Sequence, residues 1–273
     1  MTGVRDPDVG ALLGAYDEQL RVHVPARLPE GVRMTWDGPL LRTMGFGDRG
    51  WVEYRDLAGA EGDAVDAMIA RQIAWFGGQR MGFEWKHHGH DQPADLTDRL
   101  RAAGFSAEPT ETIMIGDLAS IDLGARAPEG VVIREITERA DLRRIAALED
   151  AVWGEEGTIG WIEHLAAERE AYPDGLSIFV AEAGKTVVSA GWIRFPENTE
   201  FGTLWGGATL RQWRGKGIYR SLVAERGRLA RARALRYLET DASDDSRPIL
   251  QRLGFTPVTT TTPWIWSPKS GEA

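Results

Sequence analysis

The sequence predicts a fold of the α/β (α+β) class built twice over, as two mixed sheets with helices on both faces. Three observations carry that expectation. Strand-like and helix-like patterns alternate through the second half, from about Val131 onward. A paler run in the same order occupies the first half. Both halves also end on one signature, Leu-x-x-x-Gly-Phe, at Leu100 to Phe105 and at Leu250 to Phe255.

In the first half, Gly31 to Trp36, Leu40 to Met44 and Trp51 to Tyr54 read as strands, and Gly62 to Trp75 as a helix. Met81 to Lys86 is extended and Ala94 to Ala102 helical. Gly104-Phe105 then leads into the extended run Glu111 to Ile115. Leu118 to Pro128 mixes Gly, Pro, Ala and charge and reads as a linker. The expected domains are therefore 1–120 and 129–273. In the second half, Val131 to Arg134 is a strand. Glu138 to Trp153 is a helix that places Leu142, Ile145, Ala146 and Leu148 on one face. A further helix runs from Ile159 to Ala171. Ser177 to Ala181 and Thr186 to Ile193 form a hairpin about Ala183-Gly184-Lys185. The strand Thr203 to Leu210, a helix from Ser221, the strand Tyr237 to Asp241, a short helix Ser246 to Leu253 and a Thr-rich closing strand complete the order.

Composition excludes several classes. The 273-residue chain has no cysteine, so disulfides, zinc-thiolate sites and cysteine nucleophiles are out. Met1 to Pro7 has no apolar core of a signal peptide, and no apolar run is long enough to span a bilayer. A soluble, cytoplasmic protein, monomer or homodimer, with no membrane partner is expected. The net charge of -9 argues against bulk nucleic-acid binding. Yet residues 211–236 hold nine Lys/Arg against the single acid Glu225. Such a basic island suits a small polyanion, and the acidic remainder suits a cationic acceptor. Arg226, Arg228, Arg231 and Arg233 read as a solvated helix face.

The segment Gln212-Trp213-Arg214-Gly215-Lys216-Gly217-Ile218-Tyr219-Arg220 lies between a strand and a helix start. Gly215 and Gly217 let main chain approach a phosphate closely. The first amides of the helix have no intrahelical partner and face such an anion, helped by the helix dipole. Arg214, Lys216 and Arg220 add charge. A Walker loop would need Ser or Thr after Gly-Lys, where Gly217 stands. A dinucleotide fingerprint would need glycine where Arg220 stands.

What remains, Arg214-x-x-Gly217-x-Tyr219 followed by strand, short helix and Leu-Gly-Phe, resembles the pyrophosphate loop of the GNAT-type N-acetyltransferases. The resemblance covers roughly 130–266 by motif and 30–116 by layout alone. No such loop precedes Gly62 to Trp75, so it implies a tandem arrangement with a degenerate N-terminal half. It further implies acetyl-CoA as co-substrate and a small-molecule amine as acceptor, with no metal. Main-chain groups of Ala208, Thr209 and Leu210 would hold the pantetheine arm, and one amide near Thr209 would face the thioester oxygen. Amides from Gly215, Lys216 and Gly217 through Ile218, Tyr219 and Arg220 would hold the pyrophosphate. Ser246 either contacts the cofactor or simply caps the short helix. The family commonly has a tyrosine acid four residues before Gly-Phe, where this chain has Leu250. Tyr219 either replaces it or packs against the loop strand. For the base, Glu239 and Asp241 share one face of their strand, and Glu182 ends a neighbouring one. Each reads equally as a solvated strand-end acid. The Leu250 departure leaves a non-catalytic acyl-CoA-binding or sensor protein as the rival reading.

Two other features draw the eye. Lys86-His87-His88-Gly89-His90-Asp91 has ligand-type side chains, but a strand end scatters neighbours to opposite sides, so it is expected to face an acceptor pocket or solvent. The 11 tryptophans, Trp161, Trp192, Trp205, Trp213, Trp264 and Trp266 among them, are expected mostly in packing.

Overall fold

The computed structural model describes residues 8–154 and 158–268. Met1 to Pro7 and the side chain of Trp161, both read above, lie outside the described residues. The chain divides into two compact units: one runs to Ile113 and resumes at Val258, the other is Met114–Pro257. The expected boundaries grouped the last strand with the second half; from Val258 its residues belong with the N-terminal unit.

The N-terminal unit opens with α1 (Val9–Gln19), which the sequence reading passed over. Asp8 caps it, accepting from the Ala11 amide at 3.1 Å, and Leu12 and Tyr16 are its buried residues. Then follow β1 (Arg33–Asp37), β2 (Leu40–Met44), β3 (Arg49–Glu53), α2 (Asp63–Gly77), β4 (Gly82–His88), α3 (Leu96–Ala102) and a two-residue β5 (Ser106–Ala107). Strands β1, β2 and β3 pair antiparallel, and β3 pairs parallel with β4. The chain's last strand, β12 (Thr256–Trp266), pairs antiparallel with β4, Thr261 opposite His88 and Trp266 opposite Phe83. It thereby adds Trp264 and Trp266 to a core of Val65, Ile69, Phe76, Phe83, Trp85, Leu100 and Phe105. That burial of large aromatic area fixes where β12 goes.

The histidine stretch at the end of β4 is a buried polar staple and not an open face. His88 is 3% exposed, with Nε2 2.9 Å from the Tyr16 hydroxyl. Tyr54 donates to Asp91 at 2.5 Å, and Asp91 lies 2.8 Å from Arg21. The ring of His90 meets Asp17 and Thr259. Tyr16, Asp17 and Arg21 come from α1 and the residues just after it, the element missing from the sequence reading. Among the described residues, no three His, Cys, Asp or Glu side chains gather as a metal site.

The C-terminal unit has the strand order β6-β11-β10-β9-β8-β7. Its elements are β6 (Glu111–Asp117), β7 (Val131–Glu135), α4 (Arg139–Trp153), α5 (Thr158–Ala171), β8 (Leu176–Ala183), β9 (Thr186–Arg194), β10 (Phe201–Thr209), α6 (Ile218–Ala232), β11 (Tyr237–Ala242) and α7 (Arg247–Arg252). The alternation of strand side chains supplies two cores. Leu142, Ile145, Ile162 and Leu165 of α4 and α5 pack on Ile178, Val180, Ala190 and Trp192. On the other face, Leu222 and Val223 of α6 and Leu250 of α7 meet Phe179, Ala181, Ile193, Leu204 and Leu238. The expected linker is part of this second core. Leu118, Ile121 and Leu123 are buried in it, and the Asp122 amide donates to the Leu253 carbonyl at 2.8 Å. Apolar residues at 118, 121 and 123 outweighed the loop-like composition around them. Among the described residues, no helix is long and apolar enough to cross a membrane.

Candidate functional site: a parted sheet and an amide nest

Strand β10 runs parallel to β11 over only three rungs, from Phe201 opposite Tyr237 to Thr203 opposite Glu239. Beyond them the strands are no longer paired, and the Thr240 hydroxyl donates to the Leu204 carbonyl at 3.0 Å where they part. On its other edge β10 carries a bulge against β9. Gly206 is opposite Gly191 and Thr209 opposite Ser189, so β10 holds one extra residue. The bulge is built on Gly206 and Gly207, with φ of +71° and +104°. A Cβ at Gly206 would lie 2.4 Å from the Trp192 ring, and one at Gly207 2.9 Å from the Tyr219 ring.

After a 3₁₀ turn at Arg211–Trp213 and an extended Arg214, Gly215 (φ +75°) and Gly217 (φ +83°) turn the chain into α6. The first rung of the helix runs from the Ser221 amide to the Gly217 carbonyl, 3.1 Å, so the amides of Ile218, Tyr219 and Arg220 precede the ladder. A Cβ on Gly215 would meet nothing within 4 Å. Two left-handed residues followed by a helix start form a concave set of amides, the nest that suits an anion. The open side at Gly215 fits a diphosphate. Not all the expected cations face it. The Arg214 Nε turns back to the Thr209 carbonyl at 3.1 Å, and the Lys216 ammonium sits 4.4 Å above the Trp213 ring.

The main chain of β10 is partly engaged inside the sheet. Ala208 carbonyl accepts from Ser189 Oγ at 2.7 Å, and the Leu210 amide donates to Val188 at 3.0 Å. Leu210 thus has its amide committed to β9.

Of the acidic candidates, Glu239 is 6% exposed and stands on the last paired rung at the parting, with Asp241 half-buried two residues on, on the same face. Glu182 is not brought there, because it lies on β8, across β9 from β10. Its carboxylate pairs with Arg134 at 2.8 Å and Arg144 at 2.6 Å, and the hydrogen bond from Arg134 holds it below the ordinary carboxylate range against the effect of burial. A group so held is a poor proton acceptor.

Tyr219 lies with its ring beside Gly207, packed against the α6-side core. Burial raises its phenol above the ordinary value, while Arg226 and a hydrogen bond with Ser246 pull it down. Ser246 occupies the N-cap position of α7 without a side-chain cap bond; its hydroxyl turns to the Ser243 carbonyl at 3.3 Å. Leu250 is fully buried in the core.

Of the arginines expected on a solvated face of α6, Arg231 and Arg233 are exposed and Arg228 is half-buried, but Arg226 is not solvated. Arg226 is 1% exposed, and Arg228, Arg231 and Arg233 donate to the carbonyls of Leu123, Leu118 and Asp174. The sequence signal was present: Arg226 follows Tyr219 and Leu222 at i+7 and i+4, on the core-facing side.

Glu149, also passed over, is 7% exposed on α4. Its Oε2 accepts from the Trp153 indole at 2.8 Å, and Oε1 is buried without a partner among the described residues. Burial raises its carboxyl above the usual value. An acid whose folded pKa is raised stabilises fully below the unfolded pKa, and that contribution is lost as pH rises through the folded value. Denaturant melts from about pH 4 to about pH 8 are expected to show wild type losing stability relative to Glu149→Gln as pH rises. A pH-independent difference would show that the carboxyl is not perturbed.

The fold is of the GNAT class, shared with solved GNAT structures. Residues 142–255 match the model of the Acetyltransferase (GNAT) family. Solved structures agree on the fold at low identity. A GCN5-related N-acetyltransferase from Kribbella flavida is similar at TM-score 0.63 and 13% identity, covering 99% of this chain and 98% of that one. A tandem GNAT protein from the clavulanic acid biosynthesis pathway is similar at 0.63 and 14%, covering 98% and 97%. A functionally unknown conserved protein from Staphylococcus epidermidis is similar at 0.68 and 12%, covering 93% and 98%. No curated protein matches the chain in sequence.

Proposed function

We propose that this chain transfers an acetyl group from acetyl-CoA to the amine of a small acceptor, in the C-terminal unit. The observation that carries the reading is the nest from Gly215 to Arg220 at the end of a strand that parts from β11. Its amides would hold the pyrophosphate, with Arg220, whose guanidinium lies beside Gly217, adding charge. Main-chain groups of β10 beyond the parting, about Ala208 and Thr209, would pair with the pantetheine arm as an added strand does. Acetyl-CoA supplies an activated thioester when bound.

Glu239 and Asp241 stand on one face of β11 at the parting and would draw the surplus proton from the acceptor amine. On that face of β10, Trp205 is 47% exposed, its indole donating to Thr203 at 2.8 Å with the Arg194 guanidinium 4.7 Å from its ring. It would wall the acceptor. Tyr219, hydrogen-bonded with Ser246, would be the phenol that protonates the leaving sulfur, since Leu250 has nothing to donate. Tyr219→Phe is expected to lower kcat roughly 10- to 100-fold with acetyl-CoA affinity unchanged within about threefold. An unchanged kcat would return Tyr219 to packing alone.

The N-terminal unit would contribute no second cofactor site. The ends of β3 and β4, the counterpart of the parting, are filled by Tyr54, His88, Asp91 and Arg21, all buried. The whole reading is tested by thiol release on incubation with acetyl-CoA and a panel of primary amines. Tight acetyl-CoA binding with no turnover on any acceptor would favour a non-catalytic acyl-CoA-binding or sensor protein.

A further inference from the structure

We propose that the buried guanidinium of Arg226 takes up the negative charge left on sulfur when the thioester breaks. This rests on the reading of the C-terminal unit as an acetyl-CoA site.

Arg226 is among the largest fully buried side chains of the protein. Its Nη1 donates to the carbonyls of Trp192 and Trp205, each at 3.0 Å, and its Nε to the Leu222 carbonyl at 3.1 Å. All three acceptors are neutral. No aspartate or glutamate forms an ion pair with it among the described residues, although the chain is rich in acids. Burying a charge without a counter-charge is costly, and such groups persist mostly where function uses them. The site is also fitted to it: a Cβ at Gly191 would lie 2.9 Å from Nη1. Only a residue without a side chain leaves that space.

Its position gives the charge a task. Trp205 immediately precedes the Gly206–Gly207 bulge, so Arg226 braces β10 where the strand has left β11. Tyr219 lies on the same side of α6, and it is the titratable group whose charge reaches Arg226. Strands β9 and β10 offer it carbonyls, and Glu239 and Asp241 of β11 project with Thr203 to the opposite face. A fixed cation in a water-poor interior acts strongly on charge that develops nearby.

The step balances as follows. The amine lone pair forms the new C–N bond, and the C–S bond breaks with its electron pair going to sulfur. The amine's surplus proton leaves to a carboxylate at the parting. The thiolate persists in the field of the guanidinium, and CoA takes up its proton, ultimately from solvent, as it leaves. Arg226 is a positioning and electrostatic residue here, touching β10 and not the acceptor.

The test needs no turnover. Calorimetric affinities of free CoA and of acetyl-CoA are measured between about pH 6 and about pH 9.5, a range that brackets an ordinary thiol pKa of about 8.5. For wild type, the CoA to acetyl-CoA affinity ratio is expected to rise about tenfold as the bound thiol ionises below its ordinary pKa. Arg226→Lys should keep most of that rise. Arg226→Met should lose it while binding acetyl-CoA within about threefold of wild type. A wild-type ratio that stays flat or falls over the whole range overturns the assignment without any variant, as does a full rise in Arg226→Met. No acetyl-CoA binding at any pH would remove the acyl-transfer reading and this assignment together.

Discussion

Gly217→Glu is expected to weaken acetyl-CoA binding by more than about 100-fold, roughly 2.7 kcal/mol or more. Two effects add. Gly217 sits at φ +83°, in the left-handed region, where a side chain costs about 1–2 kcal/mol. A Cβ there lies 3.3 Å from Arg220 Nη2, so the new carboxylate would pair with Arg220 across the mouth of the nest. A negative charge would then occupy the space of the phosphates and neutralise one of their cations. The strain acts on folding, while the charge acts on the ligand. Gly217→Ala separates them, because it carries the strain alone and should retain most of the affinity. If calorimetry gave Gly217→Glu the affinity of wild type, the nest would not be the anion site.

Gly206→Ala is expected to cost about 2–5 kcal/mol of stability, the largest effect of any single methyl group added to this site. At φ +71° the alanine is strained by about 1–2 kcal/mol. Its Cβ would stand 2.4 Å from the Trp192 ring, and overpacking of that kind costs about 1–3 kcal/mol more. Trp192 is buried in the core against Ala208, so the ring has little room to yield. Gly130→Ala is the control: its φ is +77° and a Cβ there meets nothing within 4 Å. Denaturant midpoints should therefore place Gly206→Ala well below Gly130→Ala. Equal costs would mean that the bulge relaxes freely and does not lock the parting of β10 from β11.

How far the sequence reveals this architecture follows from the range of the interactions involved. The glycine turn into α6 is legible because its signal is local: two glycines, a strand before and an amphipathic run after. The hairpin at Gly184, with φ +61°, is legible for the same reason. The partner of β12 is not, because pairing Thr261 with His88 joins residues far apart in sequence. Arg226 was misread through its chemistry, since arginine is almost never buried without a partner. Its helical spacing from Leu222 pointed inward, and residue type prevailed over position. The capping signal of Asp8 before Leu12 and Tyr16 is present for α1, and it is this helix that brings Tyr16 to His88 in place of the acceptor pocket or solvent expected there. Glu182 was expected near the site because a strand end lies close to many things. Its two arginine partners, Arg134 and Arg144, come from other elements that only the fold brings together.

The central claim is that the amides from Gly215 to Arg220 hold a diphosphate. Calorimetric titration of wild type with acetyl-CoA and with S-acetylpantetheine, which keeps the thioester and lacks the pyrophosphate and nucleotide, tests it most directly. Micromolar binding of acetyl-CoA, with at least about 100-fold weaker binding of S-acetylpantetheine, is the expected result. Comparable affinity for the two would contradict it.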